Sequence, residues 1–292
     1  MQQSSAVNTQ TGTSDDIEAG TSLESLLAQT RLDPVDLRIL AGFSLGLTHA
    51  QMVVQSKRTL DEQEAEKLTQ LLRRRKNGEP VAYIVGEKEF YGLPFYVSPD
   101  VMIPRPETEL LADLALGYLP ANAHLLDLGT GSGAIAVAVA SQRPDAFIHA
   151  TDISTRALET AENNAVRNLK SNKSIRFYSG NWFEALPGPM RFDVIVSNPP
   201  YIAKGDDHLV QGDLRFEPVT ALSDLADGLT FLAEIISNAP KWLKPAGRLF
   251  LEHGYDQAQA VRALLADHHF TSVQSWKDLA GIERVSGGVL SV

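Results

Sequence analysis

The chain has 292 residues, of which 43% are hydrophobic and 21% are charged, so it can bury a core and form one or two domains. It contains no cysteine, which excludes disulfide scaffolds, thiolate metal sites and cysteine nucleophiles. No apolar run approaches the roughly 20 residues of a membrane span. The formal net charge of −10 disfavours a protein that binds bare nucleic acid, because such binding needs a basic surface.

Residues 1–20 are rich in Gln, Ser, Thr, Gly and Asp and contain no basic residue. They lack both the basic and the apolar region of a secretory signal. We therefore expect a disordered lead-in and a cytoplasmic protein.

Helix-capping signals recur through residues 21–85, at Thr21, Asp33, Thr48 and Asp61. Thr21 and Thr48 are followed three residues later by Glu or Gln, the pattern of a capping box, and Asp33 is followed by proline. Apolar residues at helical spacing follow these positions. The pattern predicts a small helical domain.

The one basic cluster in this segment, Arg73–Lys76, lies at the predicted end of the last helix. It is explained either as a solvated helix end that complements the helix dipole or as a patch that contacts a partner.

Residues 86–104 contain aromatic residues in alternation on both sides of Gly92. This pattern predicts a β-hairpin, which we interpret as a linker between the helical domain and the next one.

Strands and helices alternate through residues 105–292. The predicted strands are His124–Leu128, Phe147–Thr151, Ile175–Tyr178, Val194–Val196, Arg248–Leu251, Thr271–Ser275 and Val285–Val292. The predicted helices are Ala134–Ser141, Ser154–Leu169, Leu229–Leu243 and Asp256–Asp267. This alternation predicts an α/β domain with a mostly parallel sheet and helices on both faces.

A glycine-rich loop joins the first of these strands to the first helix, with the sequence Gly129, Thr130, Gly131, Ser132, Gly133. Glycines let the backbone turn tightly and approach a ligand closely. The loop fits the pattern of dinucleotide-binding turns, although a tight turn without a ligand uses the same residues.

Asp152 ends the next predicted strand. An acid at this position can accept hydrogen bonds from both hydroxyls of a ribose, or it can cap the following helix. The ribose interpretation does not separate NAD from S-adenosylmethionine.

A buried strand leads into Asn198, Pro199, Pro200 and Tyr201. The prolines carry no N–H and hold the chain extended, so the loop is rich in carbonyl acceptors. The Asn198 side chain adds an acceptor and Tyr201 a flat aromatic face. Such a loop suits a planar NH₂ group, because two acceptors can hold its hydrogens.

With these two loops, the chain resembles the HemK/PrmC family of class I S-adenosylmethionine-dependent methyltransferases, which methylate the glutamine N5 of peptide-chain release factors. The segments that carry the resemblance are Pro80–Gly86, Glu89–Leu93, Ile103–Glu109, Asp127–Gly133 and Ser197–Tyr201. Two departures from the family pattern are Ala246 in place of a glycine and the residues 1–20 extension.

The resemblance implies a Rossmann-like methyltransferase domain over residues 105–292 and a release-factor docking domain over residues 21–85. S-adenosylmethionine would lie on the glycine-rich loop, with Asp152 at the ribose and Trp182 against the adenine. By itself Trp182 is equally well explained as a core aromatic residue.

The resemblance also implies that Asn198 and the Pro199 carbonyl accept both hydrogens of the substrate amide, and that Pro200 and Tyr201 complete the substrate site. It requires no metal, membrane or nucleic acid. Arg105 and Glu107 would approach the cofactor, although a surface ion pair explains them as well.

Several other functions stay open from the residues alone. A glutamine methyltransferase of a ribosomal protein shares the architecture and the Asn-Pro-Pro-Tyr motif. A methyltransferase of nucleic-acid amino groups also fits the motif, but the acidic charge disfavours it. An NAD-linked oxidoreductase leaves Asn198–Tyr201 unexplained, and an inactive adaptor would preserve the same loops.

Overall fold

The computed structural model describes residues 16–29, 32–170 and 175–291. The chain divides into two compact units, Met1–Val85 and Gly86–Val292. Most of the predicted lead-in, residues 1–15, lies outside the described residues. Within the described ranges, no helix is both long and apolar enough to cross a membrane.

The first unit is helical. Its helices are α1 (Leu23–Gln29), α2 (Pro34–Leu45), α3 (His49–Val54), α4 (Glu62–Lys76) and α5 (Val81–Val85). The signals at Asp33, Thr48 and Asp61 are confirmed as helix caps, the last two as complete capping boxes. The capping box predicted at Thr21 is wrong, because Ser22, one residue later, accepts the hydrogen bond from the backbone N–H of Ser25.

Residues 16–20 belong to this helical unit rather than to the lead-in. The backbone N–H of Ile17 donates to the hydroxyl of Thr69, and that of Gly20 donates to the carbonyl of Leu60. The helical unit therefore includes residues 16–20, which precede the predicted boundary at residue 21.

The basic cluster at the end of α4 is held by acids of the same unit. Ion pairs join its three arginines to Asp16, Glu79 and Asp36. The interpretation as a helix end with complementary charge therefore accounts for these arginines.

The second unit contains a hairpin and an α/β domain. Its strands are β1 (Glu87–Phe90), β2 (Leu93–Tyr96), β3 (His124–Leu128), β4 (Phe147–Asp152), β5 (Ile175–Ser179), β6 (Phe192–Ser197), β7 (Leu243–Glu252), β8 (Phe270–Lys277) and β9 (Glu283–Leu290). Its helices are α6 (Glu109–Tyr118), α7 (Ala134–Gln142), α8 (Thr155–Asn168), α9 (Val219–Leu222), α10 (Thr230–Asn238) and α11 (Ala258–Asp267).

Seven strands form one sheet in the order β5-β4-β3-β6-β7-β9-β8. The first five are parallel, and β9 runs antiparallel to both of its neighbours. The strand order reverses between β3 and β6, which is where open α/β sheets bind ligands. The predicted α/β class with a Rossmann-like sheet is confirmed.

The sheet is covered on both faces. Leu125 of β3 packs into one apolar cluster with α6 and α7, whereas the next residue, Leu126, packs into a second cluster with α10 and α11. Adjacent residues of a strand point to opposite faces, so a strand buried on both sides reads as a continuous apolar run.

Two predicted elements are corrected. The hairpin is not a separate linker, because Phe90 and Phe95 are buried in the core of the second unit. Asn164 of α8 also exchanges two hydrogen bonds with the backbone of Tyr96. The helix predicted over Leu229–Leu243 ends at Asn238, because Pro240 cannot donate within an α-helix; a 3-10 turn, Ala239–Lys241, follows.

Candidate active site

The glycine-rich loop and the Asn-Pro-Pro-Tyr loop leave neighbouring strands side by side. Leu128 and Ser197 are register partners at the carboxyl ends of β3 and β6, and the Ser197 hydroxyl donates to the Leu128 carbonyl at 2.7 Å. The predicted meeting of these two motifs therefore occurs at the point where the strand order reverses.

The glycines of the first loop are required by its backbone. Gly129, Gly131 and Gly133 have φ of 70°, 56° and 80°, a region that L side chains rarely adopt. A Cβ on Gly133 would lie 2.9 Å from that of Ala161 on α8. Thr130 fixes the base of the loop, because its hydroxyl donates to the buried Asp127 carboxylate at 2.6 Å.

Asp152 accepts hydrogen bonds from the backbone of the glycine-rich loop and from the residue that caps α8. Its carboxylate accepts from the N–H of Gly131 and from the N–H of Ser154, each at 2.9 Å. The helix cap of α8 is Ser154, so the capping interpretation of Asp152 is wrong. Burial raises the pKa of Asp152 above its ordinary value, and the backbone donors oppose this shift.

Trp182 lines the cleft rather than lying wholly in the core. Its ring is so close to the glycine loop that a Cβ on Gly129 would lie 3.0 Å from it. Phe231 packs edge-on against the indole, with ring centroids 5.5 Å apart. The indole Nε1 is buried and has no hydrogen-bond partner among the described residues.

Asn198 lines the cleft. Its Nδ2 donates to the Thr108 hydroxyl at 3.2 Å, whereas its Oδ1 has no hydrogen bond within the described part of the chain. Pro200 also lines the cleft, but Pro199 and Tyr201 are not among its lining residues. The Tyr201 hydroxyl instead lies 3.4 Å from Glu252 Oε1, and burial raises its pKa.

Arg105 does not pair with Glu107. Its guanidinium forms an ion pair with Glu217, whose side chain is fully buried and which also accepts from the backbone N–H of Ile103 at 2.9 Å. Glu107 is exposed. The explanation of Arg105 and Glu107 as a surface ion pair is therefore wrong.

The cleft has a volume of about 500 Å³, in the range of small-molecule sites. Its charged lining residues are Asp100 and Asp152; no Lys, Arg or His lies among the described residues that line it. Such a cleft favours a cationic ligand over a phosphate. The sequence analysis did not identify Met102, Thr108, Thr220 and Phe231, which also line it.

Glu252, the last residue of β7, was also missed. Burial raises the pKa of Glu252 to about 7, as it does that of Asp127. The signal in the sequence was an acid at the carboxyl end of an apolar strand. In parallel sheets, ligands bind at the carboxyl ends of the strands.

Comparisons with known proteins give the same class. Residues 18–86 match the family model of the PrmC N-terminal domain, and residues 108–214 match that of the methyltransferase small domain. A crystal structure of a methyltransferase from Pyrococcus furiosus is similar in fold, with a TM-score of 0.53 and 20% identity over 77% of this chain and 100% of that one.

Two relatives are similar over nearly their full length. The release factor glutamine methyltransferase of Bordetella pertussis is 49% identical over 92% of this chain and 100% of its own. That of Neisseria gonorrhoeae is 47% identical over 90% of this chain and 95% of its own. The resemblance inferred from the motifs is confirmed: the chain belongs to the release factor glutamine methyltransferase family.

Proposed function

We propose that the cleft binds S-adenosylmethionine together with the glutamine of the Gly-Gly-Gln motif of a class I peptide-chain release factor, whose amide nitrogen receives the methyl group. The observation that carries the proposal is that Asn198, whose Oδ1 has no hydrogen bond to any described residue, lines one cleft together with the glycine-rich loop. The relatives named release factor glutamine methyltransferase support the substrate.

The cleft residues suit this cofactor. Asp152 offers a carboxylate for the ribose hydroxyls. The Trp182 ring offers an adenine a flat apolar surface and an N–H that no described residue accepts. The loop Gly129–Gly133 would accommodate the methionine portion. When bound, S-adenosylmethionine supplies a methyl group on a positively charged sulfur, and the acidic lining favours that charge.

The protein's chemical task is to orient a poor nucleophile. The nitrogen lone pair of an amide is delocalised into its carbonyl, so the nitrogen reacts slowly in solution. Asn198 Oδ1 would accept one N–H, which orients the nitrogen and stabilises positive charge on it. The family resemblance implies the Pro199 carbonyl as the second acceptor, although Pro199 is not among the residues that line the cleft. Because Pro199 and Pro200 have no N–H, no backbone donor of theirs competes for these acceptors.

Two effects account for the expected rate gain. Holding the reactants in line removes on the order of 7–11 kcal/mol of barrier. Acceptors aimed at charge that develops in the transition state contribute about 3 kcal/mol more. We assign Tyr201 to the support of this loop, since its hydroxyl is directed at Glu252.

We assign release-factor docking to the helical domain. Val35, Ile39 and Phe43 repeat every four residues along α2 and are about half exposed, which gives one helix an apolar surface stripe. Replacing all three with serine is expected to raise KM for the intact release factor but not for a short Gly-Gly-Gln peptide. An equal effect on both substrates would contradict docking at this stripe.

The deciding experiment is mass spectrometry after incubation of the enzyme with labelled S-adenosylmethionine and a candidate substrate. Release factor, ribosomal proteins, RNA and DNA are tested separately. We expect one methyl group on the release-factor glutamine, and none on a release factor in which glutamate replaces it. Methylation of another substrate alone would refute the proposal. Because release factors act in translation, we place the enzyme in the cytoplasm.

A further inference from the structure

A buried carboxyl group lies behind the substrate loop. Glu252 is 1% exposed and ends β7, the strand next to β6. Its Oε1 lies 3.4 Å from the Tyr201 hydroxyl. Its Oε2 is buried and has no hydrogen-bond partner within the described residues. A buried carboxylate oxygen without a donor is costly, so a donor is expected nearby.

Thr108 is placed to be that donor. It is buried, its oxygen accepts from Asn198 Nδ2 at 3.2 Å, and its hydroxyl stabilises the ionised form of Glu252. A threonine hydroxyl has a single hydrogen. When its oxygen accepts from Asn198, that hydrogen is free to point at Glu252.

We propose that Glu252 is a positioning residue that decides which end of the Asn198 amide faces the cleft. An ionised carboxylate only accepts hydrogen bonds, so Thr108 must donate to it and must in turn accept from Asn198. The Asn198 NH₂ is thereby turned inward and Oδ1 outward. This inference rests on the proposed function, in which Oδ1 receives an N–H of the substrate.

The ionised form of Glu252 prevails only above about pH 7. Burial raises the pKa of Glu252 to about 7, and the exposed carboxylate of Glu107 raises it as well. Thr108, Tyr201 and Arg284 of β9 lower it. Above about pH 7 Glu252 is therefore mostly ionised and orients its two hydroxyl neighbours, so the comparison of variants is made at about pH 8.

The consequence is a selection for substrates with an NH₂ group. If Glu252 becomes an amide, it can either donate to Thr108 or accept from it. The direction of the hydrogen bonds that link residue 252, Thr108 and Asn198 is then no longer fixed. Asn198 can then turn its own NH₂ toward the cleft, where it repels a substrate NH₂ and attracts a substrate oxygen.

The test compares wild type with Glu252→Gln on two release factors, one with the native glutamine and one with glutamate in its place. We expect kcat/KM on the native factor to fall by about tenfold, the value of one hydrogen bond, with unchanged affinity for S-adenosylmethionine. We also expect the variant to bind the glutamate form better relative to the glutamine form than wild type does.

The second arm uses Thr108→Val, which removes the hydroxyl with little change of shape. Its effect on kcat/KM should match that of Glu252→Gln, and the double variant should lose no more than either one. Ser286→Ala, which alters a buried hydroxyl on the adjacent β9, controls for local loss of stability and should keep the wild-type kcat/KM.

Unchanged glutamine-to-glutamate discrimination in both Glu252→Gln and Thr108→Val would overturn the inference, as would additive losses in the double variant. If the wild-type enzyme itself left the release factor unmethylated, the proposed function would fail instead. The two failures are therefore distinguishable in one set of assays.

Discussion

Glu217 accepts a hydrogen bond from the backbone N–H of Ile103 and forms an ion pair with Arg105, although more than a hundred residues separate it from both. The two joined segments each contribute a proline to the cleft, Pro104 and Pro218. A fully buried acid thus holds together two loops that shape one wall of the site.

Replacing Arg105 with methionine would leave Glu217 buried without its cation. Because Arg105 is partly exposed, we expect the free energy of unfolding to fall by about 2–3 kcal/mol, less than for a fully buried pair. Denaturant unfolding measures this change. Arg156→Met, which breaks the exposed pair with Asp100, is the control and should cost far less, because solvent screens an exposed pair. Equal losses in the two variants would contradict the assigned role of Glu217.

Asn198→Ala should lower turnover by about a hundredfold, because it removes an acceptor aimed at the reacting nitrogen. Affinity for S-adenosylmethionine should stay close to that of wild type. Methyl incorporation into release factor measures the first quantity and calorimetry the second. Wild-type turnover in this variant would remove Asn198 from the chemistry.

Asp152→Asn should weaken binding of S-adenosylmethionine by about 10- to 100-fold, since hydrogen bonds to a charged group contribute about 1.5–3 kcal/mol. Asp100→Asn is the matched control, because Asp100 also lines the cleft but is exposed. It should have a smaller effect in calorimetry. Equal effects would mean that charge alone, and not a contact from Asp152, governs affinity.

Gly133→Ala should destabilise the protein by about 2–4 kcal/mol, since its positive φ and the contact with Ala161 both disfavour a Cβ. Gly131→Ala tests the conformational cost alone, because no described atom outside Gly131 and its two chain neighbours lies within 4 Å of its Cβ position. It should cost about 1–2 kcal/mol. Thermal unfolding of the two variants separates these contributions, and an equal loss would refute the close packing at Gly133.

The pH dependence of stability follows from Glu252. Burial raises its pKa from 4.5 to about 7, so its protonated form favours folding. This contribution is complete below the unfolded pKa and is lost as the pH rises through about 7. Glu252→Gln stays neutral, so its stability relative to wild type should increase between about pH 5 and about pH 8.

Asp127 titrates in the same range in both proteins, so its contribution cancels in this comparison. Denaturant unfolding of both proteins at several pH values gives the difference directly. A difference that does not vary with pH would show that the Glu252 pKa is not raised.

Local signals in the sequence were enough to predict the fold class and the two motifs. Asp33 and Asp61 predict helix starts correctly because a capping side chain bonds to backbone groups within the next turn, so the signal is local in sequence. The strand predicted at His124–Leu128 has the bounds found in the structure, since a strand buried on both faces is apolar throughout. Gly129 was identified because its loop turns tightly between a strand and a helix, which favours glycine. Asn198 was identified because it follows a buried strand and precedes two prolines.

The tertiary structure alone decided what surrounds those motifs. Asn198 meets Thr108 across 90 residues, and Tyr201 meets Glu252 across 51. Such contacts depend on the order and register of β3, β6 and β7, which no spacing along the chain encodes. The same holds for the hairpin. Its burial depends on packing against α8, which the hairpin sequence does not encode.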